Sequence, residues 1–303
     1  MLAGICALAM QAHATTYYVI VSGLGGEPDY EQRFTAAAHD LNKAFTAEGA
    51  TAHVVTLTGA NSTAAKLKDA LNSVAREARP DDDFALILIG HGTFDGAEYK
   101  FNLVGPDVTA TELATWCDKI PAHRQLVVNA TSASGGSVAA LARPGRAVIA
   151  ATKSGTEKNA TVFARYFVEA FQDPAADTDK SDSVSAMEAF LYATRKTAEF
   201  YDSQKRIATE HAVFNDVGSG EGVREASGAQ GKLLASFTLL RMGATQEAAN
   251  DPAKRALLAQ KDDLEQKIDS LKYRKPAMDP MDYKAQLTQA LLALAQVQEE
   301  LDK

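Results

Sequence analysis

Apolar residues along this chain follow two alternating rhythms. Continuous short runs, Thr16–Gly23 (TYYVIVSG), Thr51–Thr58 (TAHVVTLT), Asp83–Gly92 (DFALILIGHG), Arg124–Ala130 (RQLVVNA) and Arg146–Thr152 (RAVIAAT), read as strands. Between and after them, apolar positions recur at three- and four-residue steps. These steps predict helices over Phe34–Phe45, Ser62–Ala78, Thr109–Ile120, Val162–Phe171 and Val184–Tyr201, with a short one from Val138. Thr109, with Glu112 three residues on, has the spacing of a capping box. Because the strand runs are continuous rather than alternating, both faces of the sheet must be covered. The expected class is α/β, a parallel sheet sandwiched by helices.

The rhythm changes at Asp251. Leu257, Leu264, Ile268 and Leu271 share one helical face, the turn PAMDP interrupts, and Leu287, Leu291, Leu294 and Leu301 continue on a second helix. Residues 251–303 therefore predict an antiparallel, coiled-coil-like helical hairpin. It serves either a partner, including self-association, or its own chain, and the pattern leaves both open. Residues 15–250 form the expected α/β domain. At the front, "LAGICALAMQAHA" is a short apolar run ending in a small-x-small site, so residues 1–14 read as a signal peptide, without a preceding basic segment, and the protein as exported.

Two segments read as loops. Gln172–Ser183 (QDPAADTDKSDS) is polar and is expected to be exposed. Asn215–Gly222 (NDVGSGEG) offers Asn215, Asp216, Ser219 and Glu221 as oxygen donors but lacks the spacing and terminal acid of a calcium loop. "SGLGGEP" after the first strand lacks the third spaced glycine of a dinucleotide loop.

Composition narrows the partners. The chain has 303 residues and a formal net charge of −8, which argues against a nucleic-acid backbone as ligand. No apolar run reaches the length of a membrane span. Of the two cysteines, Cys6 lies in the expected signal and Cys117 reads as a small buried hydrophobe. The histidines are scattered, so neither a metal nor a cofactor is expected.

Candidate chemistry sits after the third and fourth strands. His91 stands between Gly90 and Gly92, and the fourth strand runs into "NATSASGG". Glycines beside His91 let the backbone approach a substrate and leave an N–H for an oxyanion. Three readings of the second loop stay open: a nucleophile loop, a ligand-binding loop, or a structural one in which Thr131, Ser132 and Ser134 cap the following helix.

An apolar strand ending in His-Gly, then a helix, then a strand ending in Ser132-Ala133-Ser134-Gly135-Gly136, resembles the caspase-like fold of caspases, legumains, gingipains and metacaspases. "RAVIAATKSGTEKNATVFARYFVEAF" and "EHAVFNDVGSGEG" are similar to later parts of legumain-like bacterial proteins, and the resemblance spans Thr16 to Arg241. It implies His91 as the catalytic histidine and Ser132 at the position of the nucleophilic cysteine, with Gly92, Ser134 and Gly135 lining the oxyanion side of a cleft. The sulfur is replaced by a hydroxyl, a far weaker nucleophile that needs a well-placed base, with Asp95 or Glu27 as candidate orienting acids. The resemblance thus implies a pseudopeptidase that binds peptide or protein. The alternatives are a Ser132–His91 hydrolase and a non-catalytic envelope protein working through its hairpin.

Overall fold

The computed structural model describes residues 15–251, 253–275 and 278–303, so the expected signal peptide lies outside the described residues. Its centre is a six-stranded sheet. Strands β1 (Thr16–Ser22), β2 (Ala52–Leu57) and β3 (Asp83–Ile89) are three of its members. A small antiparallel sheet follows, β4 (Gly92–Phe94), β5 (Tyr99–Phe101) and β6 (Val108–Thr109). The main sheet resumes with β7 (Arg124–Asn129) and β8 (Arg146–Ala150). Then β9 (Ser183–Ser185) stands apart, β10 (Val213–Asn215) closes the main sheet, and β11 (Thr238–Arg241) pairs with β9. The order across the main sheet is β10-β8-β7-β3-β1-β2, parallel except for β10 at the edge.

Helices cover both faces, as the continuous apolar strands require. Successive side chains of a strand point to opposite faces. Accordingly Tyr18 and Ile20 join one layer of the core with Phe34, Ala38, Leu41 and Phe45 of α1 (Pro28–Thr46). Val19 and Val21 join the other with Leu67, Leu71 and Val74 of α2 (Ala64–Glu77). Helix α3 (Ala110–Cys117) also lies on this second face. Its capping box forms as the spacing predicts, Thr109 Oγ1 accepting from the Glu112 N–H at 3.1 Å while Glu112 reaches back to the Thr109 N–H at 3.0 Å. Cys117 is fully buried, and burial pushes its thiol up to about 11.

Helix α4 (Val138–Leu141) is short. Helices α5 (Phe163–Glu169) and α6 (Ala186–Ser203) pack on the face of α1, and α7 (Lys232–Ser236) follows β10. The strands missing from the sequence pattern, β4 to β6 and β9 to β11, are two to four residues long, too short to show a period. Helix α1 begins six residues before its apolar face does. Pro28 suits a first helical turn, in which Pro28 and Asp29 are exposed and Tyr30 is half-buried.

After α8 (Gly243–Asn250), helices α9 (Arg255–Arg274) and α10 (Pro280–Leu301) form the antiparallel hairpin. Lys254 at the head of α9 donates to the Leu301 carbonyl at the foot of α10 (2.6 Å). Ile268, Leu271 and Ala290 form a small core between the two helices. Helix α9 also docks on the domain: Leu258 is buried, Lys261 donates to the Ser181 carbonyl (2.8 Å), and Asp262 pairs with Arg241 (3.0 Å). On α10, Leu291 and Leu292 stay exposed. No helix of the described residues is long and apolar enough to cross a membrane.

Candidate functional site

In an open parallel sheet, ligands bind beyond the carboxyl ends of the strands, where the strand order reverses. Here β1 lies between β2 and β3, so the reversal falls between β1 and β3. Two loops meet there, Gly23–Glu27 after β1 and Gly90–Gly92 after β3, and the Gly23 N–H donates to the Ile89 carbonyl (2.8 Å). The adjoining strand β7 delivers Thr131 to Gly136 beside them. His91 and Ser132 therefore follow neighbouring parallel strands.

Their side chains do not pair. The His91 ring turns toward α1, edge-on to Tyr30 (4.7 Å) and Phe34 (5.0 Å). Burial lowers its pKa below the ordinary histidine value. A bond to the Gly25 backbone and the charge of Glu27 oppose the shift without cancelling it, so the ring is neutral at pH 7. Ser132 is 3% exposed, and its hydroxyl turns to Gly92, accepting from that N–H at 3.1 Å and donating to that carbonyl at 3.1 Å. Gly92 has to be glycine for this approach. A Cβ there would sit 2.6 Å from the Ser132 carbonyl oxygen.

The other polar groups of the loop are spoken for. Thr131 Oγ1 donates to Asn129 Oδ1 (2.8 Å) and shares a 2.6 Å bond with the Tyr99 hydroxyl. Ser134 Oγ accepts from the Thr152 N–H (3.1 Å), and the Gly135 N–H donates to Thr152 Oγ1 (2.8 Å). The Ala133 N–H donates to the Glu157 carbonyl at 2.8 Å. None of these hydroxyls caps the helix that follows, since neither the 3-10 turn Ser134–Ser137 nor α4 has a side-chain cap. The capping expectation is corrected: the hydroxyls tie strand ends together instead.

The two candidate orienting acids separate. Asp95 is exposed and accepts from the Ala97 and Glu98 N–H groups at 2.9 Å, closing the β4–β5 turn. Glu27 touches His91 only through its field. Tyr99, Asn129 and Thr152 are fully buried site residues that the pattern does not single out: Tyr99 sits in a three-residue strand with no motif around it, while Asn129 and Thr152 lie at the ends of runs that read as strands on their apolar residues alone. In the late loop, Asp216 accepts from the Gly231 N–H (2.8 Å) and the Leu233 N–H (2.9 Å), a structural use of that carboxylate.

The lowered pKa of His91 has a measurable consequence. The unfolded chain binds a proton on this ring at a higher pH than the folded one does. Stability is therefore fully present above the ordinary value of 6.5 and falls as pH drops through it toward the folded value. A titration of the ring by NMR should give a midpoint below 6.5. The decline in Tm between pH 7 and 5 should be smaller in His91→Gln. A midpoint above 6.5 would contradict the burial described.

No protein-family model matches the chain, and no curated protein does. Among solved structures, it is similar to protein GSU0716 from Geobacter sulfurreducens, at 13% identity over 69% of this chain and 94% of that one, with a TM-score of 0.46. It is likewise similar to the Drosophila initiator caspase Dronc, at 11% identity over 69% of this chain and 81% of that one, with a TM-score of 0.43.

Proposed function

We propose that the chain is a caspase-like pseudopeptidase, which binds a peptide or protein segment at the crevice beside His91 and Ser132 without cleaving it. The observation that carries this reading is the hydroxyl of Ser132, whose proton goes to the Gly92 carbonyl and not to the imidazole. A serine attacks only when a base takes its proton in the transition state. The oxyanion side is engaged as well, with the N–H groups of Gly92, Ala133 and Gly135 all donating within the protein. Binding has better support. The loops that carry His91 and Ser132 lie at and beside the strand-order reversal, and Leu24 of the neighbouring loop after β1 is 43% exposed. The expected export signal makes the ligand a segment met outside the cytoplasm.

The test uses a positional-scanning library of fluorogenic tetrapeptides. Turnover should not exceed that of Ser132→Ala. The same peptides, dye-labelled, should bind the full chain by fluorescence anisotropy, and Leu24→Asp should weaken binding at least about tenfold, or 1.4 kcal/mol. Turnover that vanishes in Ser132→Ala would instead make the protein a hydrolase. Binding indifferent to Leu24→Asp but lost in Leu292→Asp would move the function to the hairpin.

A further inference from the structure

Between α5 and α6 the chain reads Asp177-Thr178-Asp179-Lys180-Ser181-Asp182-Ser183-Val184-Ser185-Ala186-Met187-Glu188. With Asp177 as position 1, oxygen-bearing side chains occupy positions 1, 3, 5, 7 and 9, and a glutamate occupies position 12. That spacing has a chemical meaning. A calcium ion takes six to eight oxygens, and a twelve-residue loop supplies them from positions 1, 3 and 5, the carbonyl of 7, position 9 through water, and both oxygens of a glutamate at 12. Such loops carry glycine at position 6 for a sharp turn. Here Asp182 holds that place, and its φ of 59° makes the left-handed turn. Aspartate tolerates that conformation better than most residues.

The folded loop brings the spaced groups together. Carboxylate oxygens of Asp177, Asp179 and Glu188 all lie within 4.8 Å of one another. Asp177 is 5% exposed and Glu188 8%, and neither takes part in an ion pair of the described residues. The lysines that reach the loop, Lys180 and Lys261, donate to the backbone carbonyls of Asp177 and Ser181 rather than to either carboxylate. Both carboxylates are held by hydrogen bonds, Glu188 accepting from the Thr178 and Ser185 N–H groups (2.8 and 2.9 Å) and Asp177 from those of Ser181 and Asp182 (3.0 and 3.2 Å), and a cation at their meeting point would add the counter-charge that these bonds do not supply.

A cavity of about 50 Å³ adjoins this point, and its lining includes Asp179, Ser181, Ser183, Ser185 and Glu188, the residues of positions 3, 5, 7, 9 and 12. Ser236, Thr238 and, from α9, Asp262 and Glu265 share the lining. The cavity has room for an ion with a water, and not for an organic ligand. The exit side agrees, since positions 7 to 9 are strand β9 and α6 begins at position 10, while a 3-10 turn, Pro174–Ala176, leads into position 1. We propose that Asp177, Asp179, Ser181, the Ser183 carbonyl and Glu188 bind one calcium ion, with Ser185 acting through a water. The site lies apart from His91 and Ser132 and does not depend on what that crevice does.

Chelator-treated full-length protein would be titrated calorimetrically with calcium chloride and, separately, with magnesium chloride. One equivalent of calcium should bind with a Kd at or below about 1 mM and raise Tm, with magnesium at least about tenfold weaker, because magnesium demands a tighter octahedron. Asp179→Asn, an exposed position expected to fold, and Glu188→Gln should each weaken calcium at least about tenfold, while Asp29→Asn on α1 should not change it. The proposal is overturned by silence up to about 10 mM calcium, by equal binding of the two ions, or by calcium affinity unchanged in both loop variants.

Discussion

In a Ser132→Cys variant, position 132 is expected to react with a small peptide-like electrophile at least about tenfold faster than Cys117 does in the unaltered chain. The comparison rests on two environments. Cys117 is fully buried, its thiol is pushed up to about 11, and almost none of it is thiolate at neutral pH. Position 132 faces the Gly92 N–H at 3.1 Å, a donor that stabilises an anion on the atom placed there. It also stands at the carboxyl edge of the sheet, just beyond β7, although the serine itself is 3% exposed. A sulfur needs no base during attack, whereas the hydroxyl does. Site mapping by mass spectrometry separates the two positions.

The same variant carrying His91→Ala then tests the pairing. Because the imidazole is neutral and directed to α1 and Gly25, its loss should slow labelling less than about threefold. A fall of tenfold or more would mean that the ring swings to position 132 and forms a working pair, and the hydrolase reading would return. Labelling no faster than Cys117 would mean that Thr131 to Gly136 is a structural loop alone.

How far the sequence speaks depends on which force acts. The five long strands and the helices between them are legible because burial on both faces imposes apolar runs, as in Leu86-Ile87-Leu88. The neighbourhood of His91 and Ser132 is legible because β3 and β7, consecutive among the long strands of the main sheet, are also sheet neighbours. Side-chain direction is not. Whether the Ser132 hydroxyl faces an imidazole or a glycine amide is set by a few ångströms of backbone, including the left-handed Ala133, which carries no periodic signal. Gln172–Ser183 shows what composition leaves out. Its Asp- and Ser-rich composition reads as exposed loop, and most of it is exposed or half-buried, yet Ala176 and Asp177 are buried, and the Asp177 carboxylate accepts from the Ser181 and Asp182 N–H groups at 3.0 and 3.2 Å. The spacing of those oxygens carried the information that composition hides.

The hairpin poses the second large test, because the sequence leaves open whether α9 serves a partner or its own chain. Arg241, at the end of β11, donates to Glu48 (3.4 Å) and to Asp262 of α9 (3.0 Å). Its backbone N–H also donates to Glu48, at 2.5 Å. Glu48 is 2% exposed, and burial raises its pKa even though Arg241 pulls the other way. Arg241→Met removes the counter-charge and leaves Glu48 buried alone, an arrangement expected to cost about 3 kcal/mol at pH 7.5 by chemical denaturation. The pH dependence identifies the cause. In the variant the folded pKa of Glu48 rises further above its unfolded value, so between the two the folded state holds more protons and gains stability as pH falls. The deficit relative to the unaltered chain should therefore be largest above neutrality and shrink toward pH 5. Glu48→Gln in the same background should recover much of the loss, since an uncharged amide needs no partner there. Protease nicking of α9 should increase in Arg241→Met if Asp262 holds the helix to the domain. A deficit that is flat with pH and unrelieved by Glu48→Gln would mean that Arg241 matters for its packing alone, and that the hairpin is held by Leu258 and Lys261 without it.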